Sequence, residues 1–348
     1  MRPAFLATVA LCSLRLVACS PRSVDLSAVR QYAETSAAAS SSFATLADDY
    51  YQSCLRQREY APVTVGGEPL SSEIPVRPPP PAGPSPAGRG GNDADCHVSS
   101  ALAYRWQLEN RALLDYVQSL GYVAGIDTRP KHLDALAAAL HSSGIVQSDA
   151  VATAGGNLAT GIVSELIAAR ARRSLYQIAH AAQHAGIGTF AGGLQETATI
   201  YRGELQREHV AAASYYTIIL AGEEREFALL ECAASTSTQV HKVLGCARFP
   251  GNGRRVSTRT MLMDEGRAAV LRERIRRVRL ARAQAYAAID NRAEAAAAYA
   301  RAVGAIAEGN AALLKVPRGD LTGDVQAVQP YVSDLQGDVG ALLSALQK

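Results

Sequence analysis

The longest regular pattern in the chain runs from Leu271 to Leu313. Leu271, Ile275, Val278, Arg282, Ala285, Ile289, Arg292, Ala296, Tyr299, Val303, Ile306, Asn310 and Leu313 alternate steps of four and three residues. This alternation keeps one stripe of an α-helix turned toward a single neighbour, whereas a strand repeats every second residue. The segment is therefore a long helix that needs a partner along most of its length. Only Arg282, Arg292 and Asn310 interrupt the apolar seam. Polar side chains on a seam set register and pairing, and a long arginine can carry its head out to water. An exposed stripe of this length has to be covered, so the rest of the chain must supply packing surfaces for it.

A second seam of the same kind starts at Val29 and continues through Ala33, Ser36, Ser40, Phe43, Ala47, Tyr50 and Cys54, predicting a helix that ends near Tyr60. After Asp95, Leu102, Trp106, Leu113, Val117 and Leu120 fall on one helical face, and Gly121 reads as the stop. A shorter helix is expected from Pro130 to Gly144, with proline at its tolerated first turn. A longer pattern ends at Gly186 and carries Gly155, Gly156, Ala159 and Gly161, small enough for another helix to approach closely. Further helices are expected from Phe190 to about Ala233 and from Leu321 to Leu346. Alternating β-branched runs are few. The expected fold is all-α: an elongated antiparallel helical bundle with long coiled-coil-like helices.

Between the first two helices lies a stretch of different character. Residues 61–95 include "IPVRPPPPAGPSPAGRGGND", whose prolines lack donors and whose glycines raise chain entropy, so an extended surface loop is expected. The chain thus divides into residues 1–18, a leader; 19–28, a tether; 29–60, the first helix; 61–95, the proline- and glycine-rich loop; and 96–348, the remaining helices, with a closed loop near 232–260.

The leader begins with Arg2, continues as the apolar "PAFLATVALCSLRLVA" and contains no acidic residue. A basic start, a short apolar run and small residues before a cut form an export signal, and the run is too short to span a bilayer. The stretch Leu16-Val17-Ala18-Cys19 resembles the lipobox of bacterial lipoprotein precursors. The resemblance implies that the Cys19 thiol is joined to a diacylglycerol, that the chain is cut before it, and that the new amino terminus is acylated. Ser20 rather than Asp after the cysteine implies, in the same class, sorting to the periplasmic face of the outer membrane. Two or three acyl chains are enough for stable anchoring, at about 0.8 kcal/mol per buried CH₂.

Charge and cysteine usage agree with an exported protein. The formal charge is only +3, and basic residues are nearly all arginine, with lysine only at Lys131, Lys242, Lys315 and Lys348. Such a balance gives no general electrostatic case for binding nucleic acid. With Cys12 in the leader and Cys19 lipidated, Cys54, Cys96, Cys232 and Cys246 remain, an even number of the kind an oxidising compartment favours. Three pairings are open; Cys54 with Cys96 and Cys232 with Cys246 are expected, because each pair brackets a loop-like insertion.

Several motifs have spacings that could carry chemistry. "GIGTFA", Gly186 to Ala191, matches a dinucleotide fingerprint, but a helical pattern precedes it where that motif needs a strand, so it reads as a helix stop and turn. His180 and His184 share one helical face at metal-ligand spacing, yet no third ligand is near in sequence, and they read as surface or half-buried histidines. The seven arginines from Arg267 to Gln284 read as a solvated face interleaved with Glu273 and with acids of neighbouring helices. The pairs Asp48-Asp49 and Glu223-Glu224 read as helix-surface charge. No catalytic, cofactor or metal residue is assigned. The expectation is a lipid-anchored envelope protein, interacting or structural, without catalysis and with a protein partner. The alternatives are an immunity-type lipoprotein that binds a specific toxin and an envelope hydrolase or metal-binding protein.

Overall fold

The computed structural model describes residues 26–60, 96–125, 157, 175–234, 258–318 and 320–347. Cys19, the proline-rich loop, the expected helix at 130–144, the glycines at 155–161 and Cys246 lie outside these residues, as does the side chain of Cys232. Among the described residues there are six helices and no strand: α1 Ser27–Tyr60, α2 His97–Val123, α3 Leu175–His184, α4 Ile187–Ala234, α5 Thr258–Leu313 and α6 Leu321–Gln347. None of them is long and apolar enough to cross a membrane. The fold is an all-α helical bundle.

The long seam is the core. Of its thirteen positions, all are buried except Arg282, which is half-buried. Its partners can be read from the contacts. Gln195 of α4 donates to the Ala300 carbonyl of α5 at 3.0 Å, and Arg279 of α5 reaches Glu224 of α4 at 2.7 Å, so these two helices run antiparallel. On α5's other flank, Arg301 meets Asp338 of α6 at 2.7 Å, which fixes a second antiparallel pairing. α1 lies parallel to α4: its Ser53 reaches Glu208, and Tyr60 at its end stacks against Tyr215 and Tyr216. α2 runs back along α1, with Trp106 packed on Tyr50 at 4.3 Å.

Helix ends follow from local chemistry. Residues 61–95 leave α1 at Tyr60 and return at Cys96, and Cys54 and Cys96 are joined by a disulfide across a separation of 42 residues. This is the first of the two expected bridges. Gly121 does not stop α2, contrary to the sequence reading. It is buried inside the helix, which continues to Val123 and ends on Gly125 at φ 99°, with the Ala124 amide bonded to the Leu120 carbonyl at 3.0 Å. Only the second glycine takes the left-handed conformation that closes a helix. Gly186, at φ 85°, separates α3 from α4. Its carbonyl accepts the Phe190 amide at 3.0 Å, which starts α4 three residues ahead of the expected Phe190.

One close approach depends on glycine. Tyr32 of α1 is fully buried and donates to the Ile306 carbonyl of α5 at 2.8 Å. Its ring lies where a side chain at Gly309 would be, with Cζ and Cε2 2.7 and 2.8 Å from the position of a Cβ.

Candidate functional site

The most concentrated chemistry lies inside the bundle, where α1, α4 and α5 meet. Asp49, Ser53 and Arg56 share a face of α1 through their spacing of three and four. The Arg56 guanidinium donates to both Asp49 oxygens at 2.8 Å and to the Glu208 oxygens at 2.6 and 3.0 Å. Arg292 lies 3.3 Å from Asp49 and 3.7 Å from Glu208. Tyr201 donates to Asp49 at 2.5 Å, and Ser53 to Glu208 at 2.7 Å. All four charged residues are buried. Two guanidinium groups and two carboxylates close on one another with no net charge, which is the condition for ions to persist away from water.

This arrangement corrects two expectations. Asp49 is not surface charge: only its neighbour Asp48 stands outside, accepting from Gln107 at 2.5 Å. Arg292 does not carry its head to water but turns it inward to Asp49 and Glu208. The chemistry available here is limited. Burial alone would raise the Asp49 carboxyl, but Arg56, Arg292 and the Tyr201 hydroxyl hold it below its ordinary value, so it stays ionised and is not a proton donor near neutrality. Burial, joined by the Asp49 charge, pushes Tyr201 well above the ordinary phenol range, which keeps its donated proton in place. The Arg56, Tyr201 and Ser53 donors all face acceptors inside the cluster, so the network has the character of a locked strut.

A second, neutral set of contacts continues along the seam. Tyr299 donates to Asn110 at 2.7 Å, Asn110 to the Ser40 carbonyl at 2.5 Å, and Tyr116 to Asn310 at 2.6 Å. Asn310, flagged by sequence as a break in the seam, is thus a register pin between α2 and α5. Sequence reasoning missed Arg56, Glu208, Tyr201 and Asn110. The available signal at Arg56 was its spacing of seven from Asp49, which places the two on one helical face.

Other buried acids are less well served. Arg105 and Glu109 pair at 2.7 Å and are both buried; burial nonetheless raises the Glu109 carboxyl despite Arg105. One oxygen each of Asp115 and Asp324 has no hydrogen-bond partner. Burial raises both carboxyls to about 6, opposed by Arg111 at Asp115 and reinforced by Asp320 at Asp324.

The remaining motifs lie outside the buried charged network. His180 and His184 bring their Nε2 atoms to 3.2 Å. Among the described residues, no three metal-ligating side chains of the His, Cys, Asp and Glu types cluster together. "GIGTFA" is a helix–turn–helix joint, preceded by α3 where a nucleotide site needs a strand. The arginine-rich window pairs with acids as expected. Arg274 meets Glu223 at 2.6 Å, Arg276 and Arg277 both meet Glu273 at 2.8 Å, and Arg267 meets Glu226.

These pairs belong to a distinct part of the molecule. Past Tyr216, α4 makes its described ion pairs only with α5, and no residue from Ala221 to Glu231 is buried. The two helices form an arm extending beyond the end of α1. A groove of about 400 Å³ on it is lined by Thr217, Leu220, Ala221, Glu224, Arg279 and Arg282. No family model, no curated protein and no solved structure matches this chain.

Proposed function

We propose that this chain is a lipid-anchored interaction or structural protein of the bacterial envelope, held at Cys19 on the periplasmic face of the outer membrane and without catalysis of its own. The observation that carries the reading is that the arm lies beyond the far end of α1 from its start at Ser27. α1 starts at Ser27, shortly after Cys19, and ends at Tyr60 against Tyr215 and Tyr216. At 1.5 Å per residue, α1 is about 50 Å long and α4 continues about 25 Å past it. A chain acylated at Cys19 would keep the α5–α6 turn near the lipid and hold the arm away from it. An elongated bundle, as the seams lead one to expect, would suit this role. The ion-paired flanks of the arm suit a solvated surface, and its exposed Val270, Leu280 and Ile218 offer apolar contact to a protein partner.

Two further features support it. The Cys54–Cys96 bridge is of the kind that persists in an oxidising compartment. The buried charged network is fully paired, which suits a rigid spacer better than a reaction centre.

Mass spectrometry of the protein from its native membrane tests the anchor: Cys19 is expected as the first residue, carrying diacylglyceryl and acyl groups. An unmodified thiol with residues 1–18 still attached would overturn the reading. Capture from envelope extract with the lipid-free chain tests the interaction. A single stoichiometric partner that no longer binds when Ile218 and Leu280 are changed to Asp supports it, whereas turnover of cell-wall fragments would replace it with the hydrolase.

A further inference from the structure

The histidine pair on α3 goes beyond this reading. His180 and His184 stand one turn apart, their ring centroids 4.3 Å and their Nε2 atoms 3.2 Å apart. Tyr176, one turn earlier, stacks on His180 at 5.6 Å with an interplanar angle of 26°, and the Arg318 guanidinium covers the Tyr176 ring at 4.9 Å. His180 is therefore held in orientation by a side chain that is itself held from the α5–α6 turn. His184 is exposed.

The separation of the two nitrogens is the informative quantity. Zinc binds imidazole nitrogen at about 2.0–2.1 Å in a tetrahedral arrangement, which puts two such ligands about 3.3 Å apart. A square-planar copper site brings adjacent nitrogens to about 2.9 Å. The observed 3.2 Å lies between these values, so the two nitrogens are spaced for a single ion, and the exposed His184 can turn to aim its lone pair at it. We infer that His180 and His184 form a two-imidazole chelate for a borderline divalent transition metal, Cu²⁺ or Zn²⁺, completed by water or by an external ligand. Binding through both Nε2 atoms requires each neutral ring to carry its proton on Nδ1, a tautomer change through solvent that leaves both Nε2 lone pairs for the ion. Copper binds more tightly than zinc at such nitrogen sites. The site lies at the tether end of the bundle, since Asn310 reaches Gln183 beside it at 3.4 Å.

Titration of the full chain in detergent with CuCl₂ and with ZnSO₄, followed by calorimetry, tests the assignment. The expected result is one site that prefers copper, weakened about tenfold or more in both His180→Ala and His184→Ala and unchanged in His209→Ala, whose ring stacks on Tyr286 elsewhere in the bundle. Electron paramagnetic resonance of the copper form is expected to show two imidazole nitrogens. If circular dichroism shows that an alanine variant has lost helix, His184→Gln replaces it, because that side chain is exposed. Equal binding by the wild type and the double variant H180A/H184A would overturn the inference, as would a copper site abolished by His209→Ala.

Discussion

Arg56 and Arg292 approach the same two carboxylates, but with different grip. Arg56 makes contacts of 2.6 to 3.0 Å to Asp49 and Glu208, whereas Arg292 stands 3.3 and 3.7 Å away. Removing the first leaves two buried anions with one distant cation, and breaking a buried pair in this way costs about 3–5 kcal/mol. Arg56→Ala is therefore expected to lower the unfolding free energy from urea titration by that amount and Arg292→Ala by clearly less; equal losses would show that the two guanidiniums share the load. The acids also predict how stability varies with pH. Asp49 is held below its ordinary value of 3.8, so its contribution is complete above that value and is lost as pH falls through the lower folded one. Asp115 and Asp324 have the opposite sign. Raised from 3.8 to about 6, they take up protons in the folded state first, so stability rises as pH falls from about 6 to 3.8 and is flat above. Together these three carboxyls contribute most near pH 4, and Glu273, held by Arg276 and Arg277 below its ordinary value of 4.5, adds to the loss at lower pH; unfolding free energies measured between pH 3 and 7 check the rise from about 6. Asp115→Asn is expected to flatten part of the rise and to stabilise the neutral protein, because it removes the buried charge that desolvation penalises.

At the level of elements, the contact between α1 and α5 rests on Gly309. An alanine there gains up to about 1 kcal/mol of helix propensity, but its methyl enters the ring of Tyr32, which is fully buried and anchored to the Ile306 carbonyl. Overpacking of a fixed ring costs about 1–3 kcal/mol, so Gly309→Ala is expected to destabilise, and a gain in thermal midpoint would show that α1 shifts freely. The Cys54–Cys96 bridge closes a separation of 42 residues, worth about 4 kcal/mol by loop entropy; reduction should lower the unfolding free energy from urea titration by an amount of that order. The helices themselves were legible because period is a local property. The seams at 29–54 and 271–313 needed only residue type and spacing. Gly121 and Gly125 show where legibility ends, since composition does not say which of two nearby glycines takes positive φ. Asp49 shows it again: the residue resembles Asp48 in sequence, and only the arrival of Arg56, Tyr201 and Arg292 around it makes it interior. The charged network was hidden because its members lie on three helices far apart in the chain, and sequence spacing carries no record of such meetings.

Across the whole molecule the burial is uneven, and this predicts uneven stability. The body holds the large buried side chains: Trp106, Tyr116, Tyr299, Phe43 and Phe190. In the arm, Leu271, Ile275 and Val278 of α5 are buried, but α4 buries nothing between Ala221 and Glu231. Its ion pairs are mostly on the surface, where each contributes about 0–1 kcal/mol. Local opening follows buried apolar contact, so the arm should open at much lower free energy than the body. Hydrogen exchange followed by mass spectrometry is expected to show amides from Ala221 to Glu231 exchanging far ahead of those from Leu194 to Ala212. Trp106 is the only tryptophan of the chain and lies in the body, so its fluorescence reports the body alone. Replacing residues 222–274 by a short glycine-serine linker should reduce helical circular dichroism while leaving the Trp106 unfolding transition within about 0.5 kcal/mol of the parent, as for independent regions. A Trp106 transition that moved with the deletion would mean that the arm is part of the cooperative core, and a body that needs its arm in order to fold is a poor candidate for one that merely presents it to a partner.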